Sequence, residues 1–189
     1  MPIDPSKLRV QIYPAAVLRK KAAPVERVDD QVRAVVARMF ELMREEEGIG
    51  LAAPQVGLSW RLFVVDIPSP RDDDDRPLPP RADGLPVWSD GPRVYINPRL
   101  SQPAGTVAGG EEGCLSLPDI RGEVIRPPVI TITAQDIEGR EFTTTGAGLL
   151  ARCWQHEMDH LDGVLIIDRM TQLSRLKNRV AIRDLERDG

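Results

Sequence analysis

The chain has little of what makes the commonest staples and sites: its 189 residues include two cysteines, two histidines and only 4% aromatics. Two thiols, Cys114 and Cys153, cannot build the disulfide framework of a small secreted domain, and in a reducing compartment they suit a metal or reactive site better. Long apolar runs are missing too. Stretches such as Val164 to Ile167 stop far short of the roughly 20 residues that a bilayer requires, which excludes a membrane-spanning helix. Met1 to Pro5 holds two prolines and an aspartate, with no basic start leading into an apolar core, so no secretory signal is read and a cytoplasmic protein is expected. An excess of positive charge is also absent. With 25 basic against 29 acidic residues the net charge is -4, which argues against a protein held along DNA by bulk electrostatics and leaves room only for a local basic patch. What is present, 41% hydrophobic and 29% charged residues, is enough to bury a core. At about 150 residues per domain, residues 1–189 read as a single domain.

Val32, Val35, Val36, Met39, Phe40 and Met43 recur at helical spacing between Asp29 and Glu46, with Asp29 or Asp30 placed to cap, so an amphipathic helix is predicted there. Gly48 and Gly50 end it, and Arg61 to Asp66 reads as a strand. Pro68 to Pro92 holds seven of the 17 prolines and the acidic run Asp72 to Asp75, which predicts an exposed loop insertion. Arg93 to Asn97 reads as a strand, and Val129 to Asp136 and Arg140 to Thr145 read as a hairpin around a Gly139 turn. Leu149 to Leu161 is predicted helical with Gly163 at its stop, Val164 to Ile167 a short strand, and 171–187 a last helix. Strands and helices do not alternate regularly enough for a doubly wound sheet, so the class is α+β.

The scarce histidines are clustered. His156-Glu157-Met158-Asp159-His160 is an H-E-x-x-H sequence inside a predicted helix, and i, i+4 spacing puts both imidazoles on one face where one metal ion can bridge them. Glu157, beside the first ligand, is placed to take a proton from a water at the open position. A solvated helix with two chance histidines is the bland alternative.

Two histidines leave the site incomplete, since a catalytic ion of this kind takes three protein ligands and a water. In the metzincin pattern the final histidine would fall on Ile166, which cannot coordinate. A downstream carboxylate, as in other H-E-x-x-H metalloproteases, would be Asp168 or Glu186. Cys153 shares the helical face, but about 10 Å of helix separates it from His160, so three donors in a row would not close a tetrahedron. Cys114, in Glu112-Gly113-Cys114-Leu115-Ser116, can arrive from another segment, although an ordinary buried thiol is its simplest reading.

Gly48-Ile49-Gly50-Leu51-Ala52-Ala53 formally matches a dinucleotide fingerprint, yet a helix precedes it and Pro54 blocks helix growth soon after, which is the wrong context. It reads better as a small-sided segment that brings backbone and Gln55 close to a substrate, where an amide can donate to a developing oxyanion.

Taken together, Gly48-Ile49-Gly50-Leu51-Ala52-Ala53-Pro54-Gln55, Glu112-Gly113-Cys114-Leu115-Ser116 and Gln155-His156-Glu157-Met158-Asp159-His160 resemble, in order, the three signature motifs of the peptide deformylases. The resemblance implies mixed and antiparallel sheets around a central helix carrying H-E-x-x-H, with helices at both ends. It implies Cys114, His156 and His160 as metal ligands and Glu157 as catalytic acid and base, with the Gln55 amide and Leu115 N–H facing the oxyanion. The family reaction hydrolyses the formyl group from the N-formylmethionine of nascent bacterial and organellar proteins and releases formate. By similarity, Ile49, Gly50 and Gly113 would meet the peptide backbone, and Arg121 is a candidate for contact beyond methionine. Leu149 and Cys153 share the His156 face and are natural walls for a methionine side chain. Ferrous iron is the implied cofactor, although this ligand set also suits zinc, nickel or cobalt. Arg169, Arg175, Lys177, Arg179 and Arg183 come without an acidic residue between them and are a candidate ribosome contact, a solvated face being the commoner reading. An H-E-x-x-H metalloprotease and a non-enzymatic metal-binding module are the remaining alternatives.

Overall fold

Asp29 stays extended and its carboxylate accepts a hydrogen bond from Val32 N at 3.0 Å, which satisfies one of the orphan amides that open helix α1, Asp30–Glu45. The computed structural model describes residues 3–75 and 81–188. Val32, Val35, Val36, Met39, Leu42 and Met43 form the buried stripe of α1, and Phe40 lies at its edge. The chain then runs through β1, Gly50–Ala52, a 3-10 turn at Ala53–Val56, and β2, Leu62–Val65. Five further strands follow: β3 Arg93–Ala104, β4 Ala108–Cys114, β5 Leu117–Arg126, β6 Val129–Gln135 and β7 Glu141–Ala147. Helices α2 Gly148–Leu161, α3 Ile166–Arg169 and α4 Gln172–Asp188 complete the described fold.

The fold is α+β with antiparallel sheets. Five strands pair in the order β1-β2-β3-β6-β7 and β4 pairs with β5, every ladder antiparallel, while a lone bridge between Ala23 and Trp60 is parallel. Both faces of the larger sheet are covered. Phe63 and Val65 pack with Trp154, Leu150 and Leu161 of α2, whereas Leu62 and Val64 pack with α1, which is why β2 is apolar throughout. Tyr95 ties the α2 side together, stacked on Phe63 at 4.9 Å and edge-on to Trp154 at 5.7 Å. A third cluster of Leu117, Ile120, Val124, Ile166, Ile167 and Ile182 joins the β4–β5 hairpin to α3 and α4.

One expectation is corrected. Val164 to Ile167 is not a strand: Ile166 opens α3, because Asp168 Oδ2 accepts from Leu165 N at 2.8 Å and a one-turn helix buries Ile166 and Ile167 together. The Pro68–Pro92 stretch has no helix or strand among its described residues and most of them are exposed, with its end tied to the fold at a few points. Pro86 O accepts from Ala147 N at 2.8 Å and Val87 O from Leu150 N at 3.1 Å, so this segment caps the start of α2. Ser89 is buried and its hydroxyl accepts from Ile67 N at 2.8 Å. Residues 76–80 of that stretch lie outside the described residues.

Candidate metal centre

His156 and His160 lie one turn apart on α2, their rings edge to face with centroids 5.0 Å apart. Cys114 comes from the other side, at the end of β4, where the ladder shifts register between Gly113 and Cys114 before the tight turn into β5. The shift aims the thiol at the helix. Cys114 Sγ lies 3.3 Å from His160 Nε2, the two Nε2 atoms are 3.2 Å apart, and all three ligand atoms fall within 4.8 Å of one another. A tetrahedron with metal bonds of about 2.1 and 2.3 Å has edges of roughly 3.3–3.6 Å, so the donor set fits one divalent ion.

The first histidine is held from behind. Glu112 can only accept, so His156 Nδ1 donates to its Oε2 at 3.0 Å, which turns the Nε2 lone pair toward Cys114 and His160. Glu112 in turn takes Arg126 Nε at 2.6 Å and Nη2 at 2.9 Å, and Arg152 Nη1 at 2.8 Å. Arg126 also donates to Asp159 Oδ2 at 2.9 Å, which makes a buried network from β5 to α2. Burial would push the Glu112 carboxyl up, but hydrogen bonds from Arg126 and His156 outweigh it and hold the group well below the usual carboxylate range. Burial likewise opposes charge on His156, yet Cys114 and Glu112 hold that imidazole well above its ordinary value, while burial and His156 push His160 well below.

Glu157 is 3% exposed, and its Oε2 and the Nδ1 of His160 find no hydrogen-bond partner among the described residues. Burial pushes the Glu157 carboxyl up to about 7, with Glu112 adding to the rise and His156 and Arg126 working against it. Gly50 makes this placement possible, since a Cβ there would lie 2.4 Å from Glu157 Oε1. Gln55 is buried with its amide fixed: Oε1 accepts from Ala52 N at 2.8 Å, which leaves Nε2 to face Cys114 Sγ at 3.6 Å and Ser116 Oγ at 3.3 Å.

A cleft of about 690 Å³ opens onto these groups, lined among others by Ile49, Gly113, Leu115, Arg121, Leu149 and Cys153. A profile described as polypeptide deformylase matches residues 7–176. The chain belongs to the polypeptide deformylase family. It is 43% identical over 175 residues to a peptide deformylase of Novosphingobium aromaticivorans, covering 90% of each chain, and 44% identical over 186 residues to one of Chlorobium phaeobacteroides, covering 96% of this chain and 91% of that one. The crystal structure of peptide deformylase from Ehrlichia chaffeensis superimposes with a TM-score of 0.83 at 32% identity, covering 96% of each chain.

Within this deformylase-family fold, the residues weighed as alternative ligands lie elsewhere. Asp168 is paired with Arg19, Glu186 accepts from the Tyr13 hydroxyl at 2.8 Å, and Ile166 is in the third core cluster. Gly50–Ala52 is a strand followed by a 3-10 turn, so no phosphate-binding helix start follows the glycines. Leu149 is 49% exposed at the cleft, Cys153 is buried beneath it, and Arg121 is exposed with Glu111 at 3.9 Å. Glu112, Arg126, Arg152 and Asp159 went unnoticed as site residues; a glutamate two residues before the cysteine and a lone arginine on the buried side of an alternating strand were the available signals.

Proposed function

We infer that the protein removes the formyl group from the N-terminal N-formylmethionine of nascent polypeptides and releases formate. The convergence of Cys114 Sγ with the His156 and His160 imidazoles beside buried Glu157, in a chain of this family, is the observation that carries the reading. Cys114, His156 and His160 would hold one divalent ion, ferrous iron in the cell, which when bound supplies a Lewis acid and an acidified water.

Glu157 takes the proton of the attacking water and returns it to the departing amine, a role suited to a carboxyl poised near neutrality. Gln55 Nε2, oriented by the Ala52 amide, and the Leu115 N–H, next to the cysteine, are the donors for the developing oxyanion. Ile49, Gly50 and Gly113 meet the peptide backbone, Leu149 and Cys153 wall the methionine side chain, and Arg121 contacts the peptide beyond it; all six line the cleft. Formate release from formyl-Met-Ala-Ser, with Glu157→Ala as control, tests the assignment.

No helix among the described residues is long and apolar enough to cross a membrane. A cytoplasmic location follows from the proposed action on nascent chains, not from that absence. Ribosome contact would run through α4, where Lys177, Arg179 and Arg183 are exposed without an ion pair among the described residues.

A further inference from the structure

The two halves of the metal centre come from elements that share little backbone packing. Cys114 closes β4, His156 and His160 ride on α2, and α2 packs instead against β1, β2, β6 and β7. Polar links join the hairpin to the helix, and Arg152 makes three of them. Its Nη1 donates to Glu112 Oε1 and to Val124 O, both at 2.8 Å, and its Nη2 donates to Ala108 O at 3.0 Å. One guanidinium therefore grips both strands, β4 through Ala108 and Glu112 and β5 through Val124. Arg152 stands one turn before His156 on the same face of α2, and its side chain, 19% exposed, also lines the cleft. The hairpin is shaped to receive it. A Cβ at Gly110 would lie 2.8 Å from Arg152 Cζ and Nη2, so the guanidinium rests against bare backbone where any side chain would displace it.

We propose that Arg152 is a positioning residue of the metal centre, locking the β4–β5 hairpin onto α2 so that Cys114 Sγ stays in register with His156 and His160. It also fixes Glu112, and through Glu112 the orientation of the His156 ring. This rests on the reading of Cys114, His156 and His160 as the ligands. Lysine cannot substitute, because a single ammonium cannot span three acceptors in a fixed fork.

The test uses Co2+ as probe on the purified full chain, with affinity measured by chelator competition and the visible absorption of the bound ion as a second readout. Arg152→Met keeps an unbranched stem along the cleft and removes every donor. It is expected to weaken Co2+ binding by about tenfold to a hundredfold, shift the Co2+ bands, and lower kcat on a formylmethionyl peptide with KM nearly unchanged. Arg152→Lys recovers only part of this. Gly110→Ala gives a milder version by pushing the guanidinium aside, and adds little on top of Arg152→Met. A folded Arg152→Met with wild-type Co2+ affinity and bands, or with a raised KM alone, overturns the proposal. If Arg152→Met does not fold, wild-type Co2+ affinity in Gly110→Ala overturns it instead. Cys114→Ala separates the two levels: unchanged Co2+ binding there sinks the ligand assignment itself, and the proposal with it.

Discussion

His156 Nδ1 donates to Glu112 Oε2 at 3.0 Å, so the first histidine of the helix is anchored by a carboxylate two residues before the cysteine it faces. That carboxylate is 5% exposed and shared with Arg126, which is 6% exposed. Glu112→Gln removes the charge with little change of shape. It should weaken metal binding by about tenfold to a hundredfold and, by leaving Arg126 buried with only Asp159, destabilise the fold by about 3–5 kcal/mol. Chelator competition and thermal unfolding would check this, with a Tm drop on the order of 10 °C. Unchanged metal affinity would show that the anchor does not matter.

Gly50 is a sharper probe of Glu157. A Cβ at 2.4 Å from Glu157 Oε1 and 2.9 Å from Cys153 Sγ cannot be accommodated without moving the carboxylate. Gly50→Ala should therefore lower kcat on the order of a hundredfold while metal content stays at the wild-type level. Steady-state kinetics alongside metal analysis would decide, and wild-type kcat would contradict the placement of Glu157 as the proton carrier.

The pH dependence has a definite sign. In the proposed mechanism proton transfer needs the Glu157 carboxylate, so activity should fall as pH drops through its pKa, which burial pushes up to about 7. A cation at Cys114, His156 and His160 favours the charged carboxylate, so the acid limb of kcat/KM in the loaded enzyme should have its midpoint below 7. Ion binding must also displace the proton that Cys114 and Glu112 stabilise on His156, so metal affinity should weaken as the solution is acidified. A midpoint above 7, or metal retention that improves in acid, would contradict this.

The helix face on α4 invites a direct test. Arg169, half exposed on α3, is paired with Asp159 at 2.8 Å and Arg175 donates to Ile167 O, which leaves Lys177, Arg179 and Arg183 as exposed cations of α4 with no ion pair among the described residues. Changing these three to glutamate should reduce co-sedimentation with ribosomes while hydrolysis of a free formyl peptide is retained. Undiminished co-sedimentation would remove the ribosome contact from the account.

The parts of the fold that were legible are those where one period dominates. The α1 stripe, the Val129–Gln135 and Glu141–Ala147 hairpin and the H-E-x-x-H helix each carry a single unambiguous pattern. The β4–β5 hairpin was not legible, because Gly109, Gly110 and Gly113 with Glu111 and Glu112 are weak strand formers, and Arg126 occupies a buried position in β5 where an apolar residue would have completed the alternation. Short β1 was hidden in the small-sided Gly50–Ala52 segment. Val164 to Ile167 misled because a run of β-branched and apolar residues does not reveal that Asp168 can cap a turn. At the site, Cys114, His156 and His160, whose ligand atoms converge, stand out from spacing and family motifs, but the polar scaffold does not: no sequence pattern links Arg126, Arg152 and Asp159 until the fold brings them together.

The most direct test is formate release from formyl-Met-Ala-Ser by protein purified without oxygen and loaded with ferrous iron or nickel. The account predicts one formate per free methionyl amine formed, with turnover abolished by Glu157→Ala and by Cys114→Ala. Metal-loaded protein that binds the peptide but releases no formate, or turnover that survives Glu157→Ala, would contradict it.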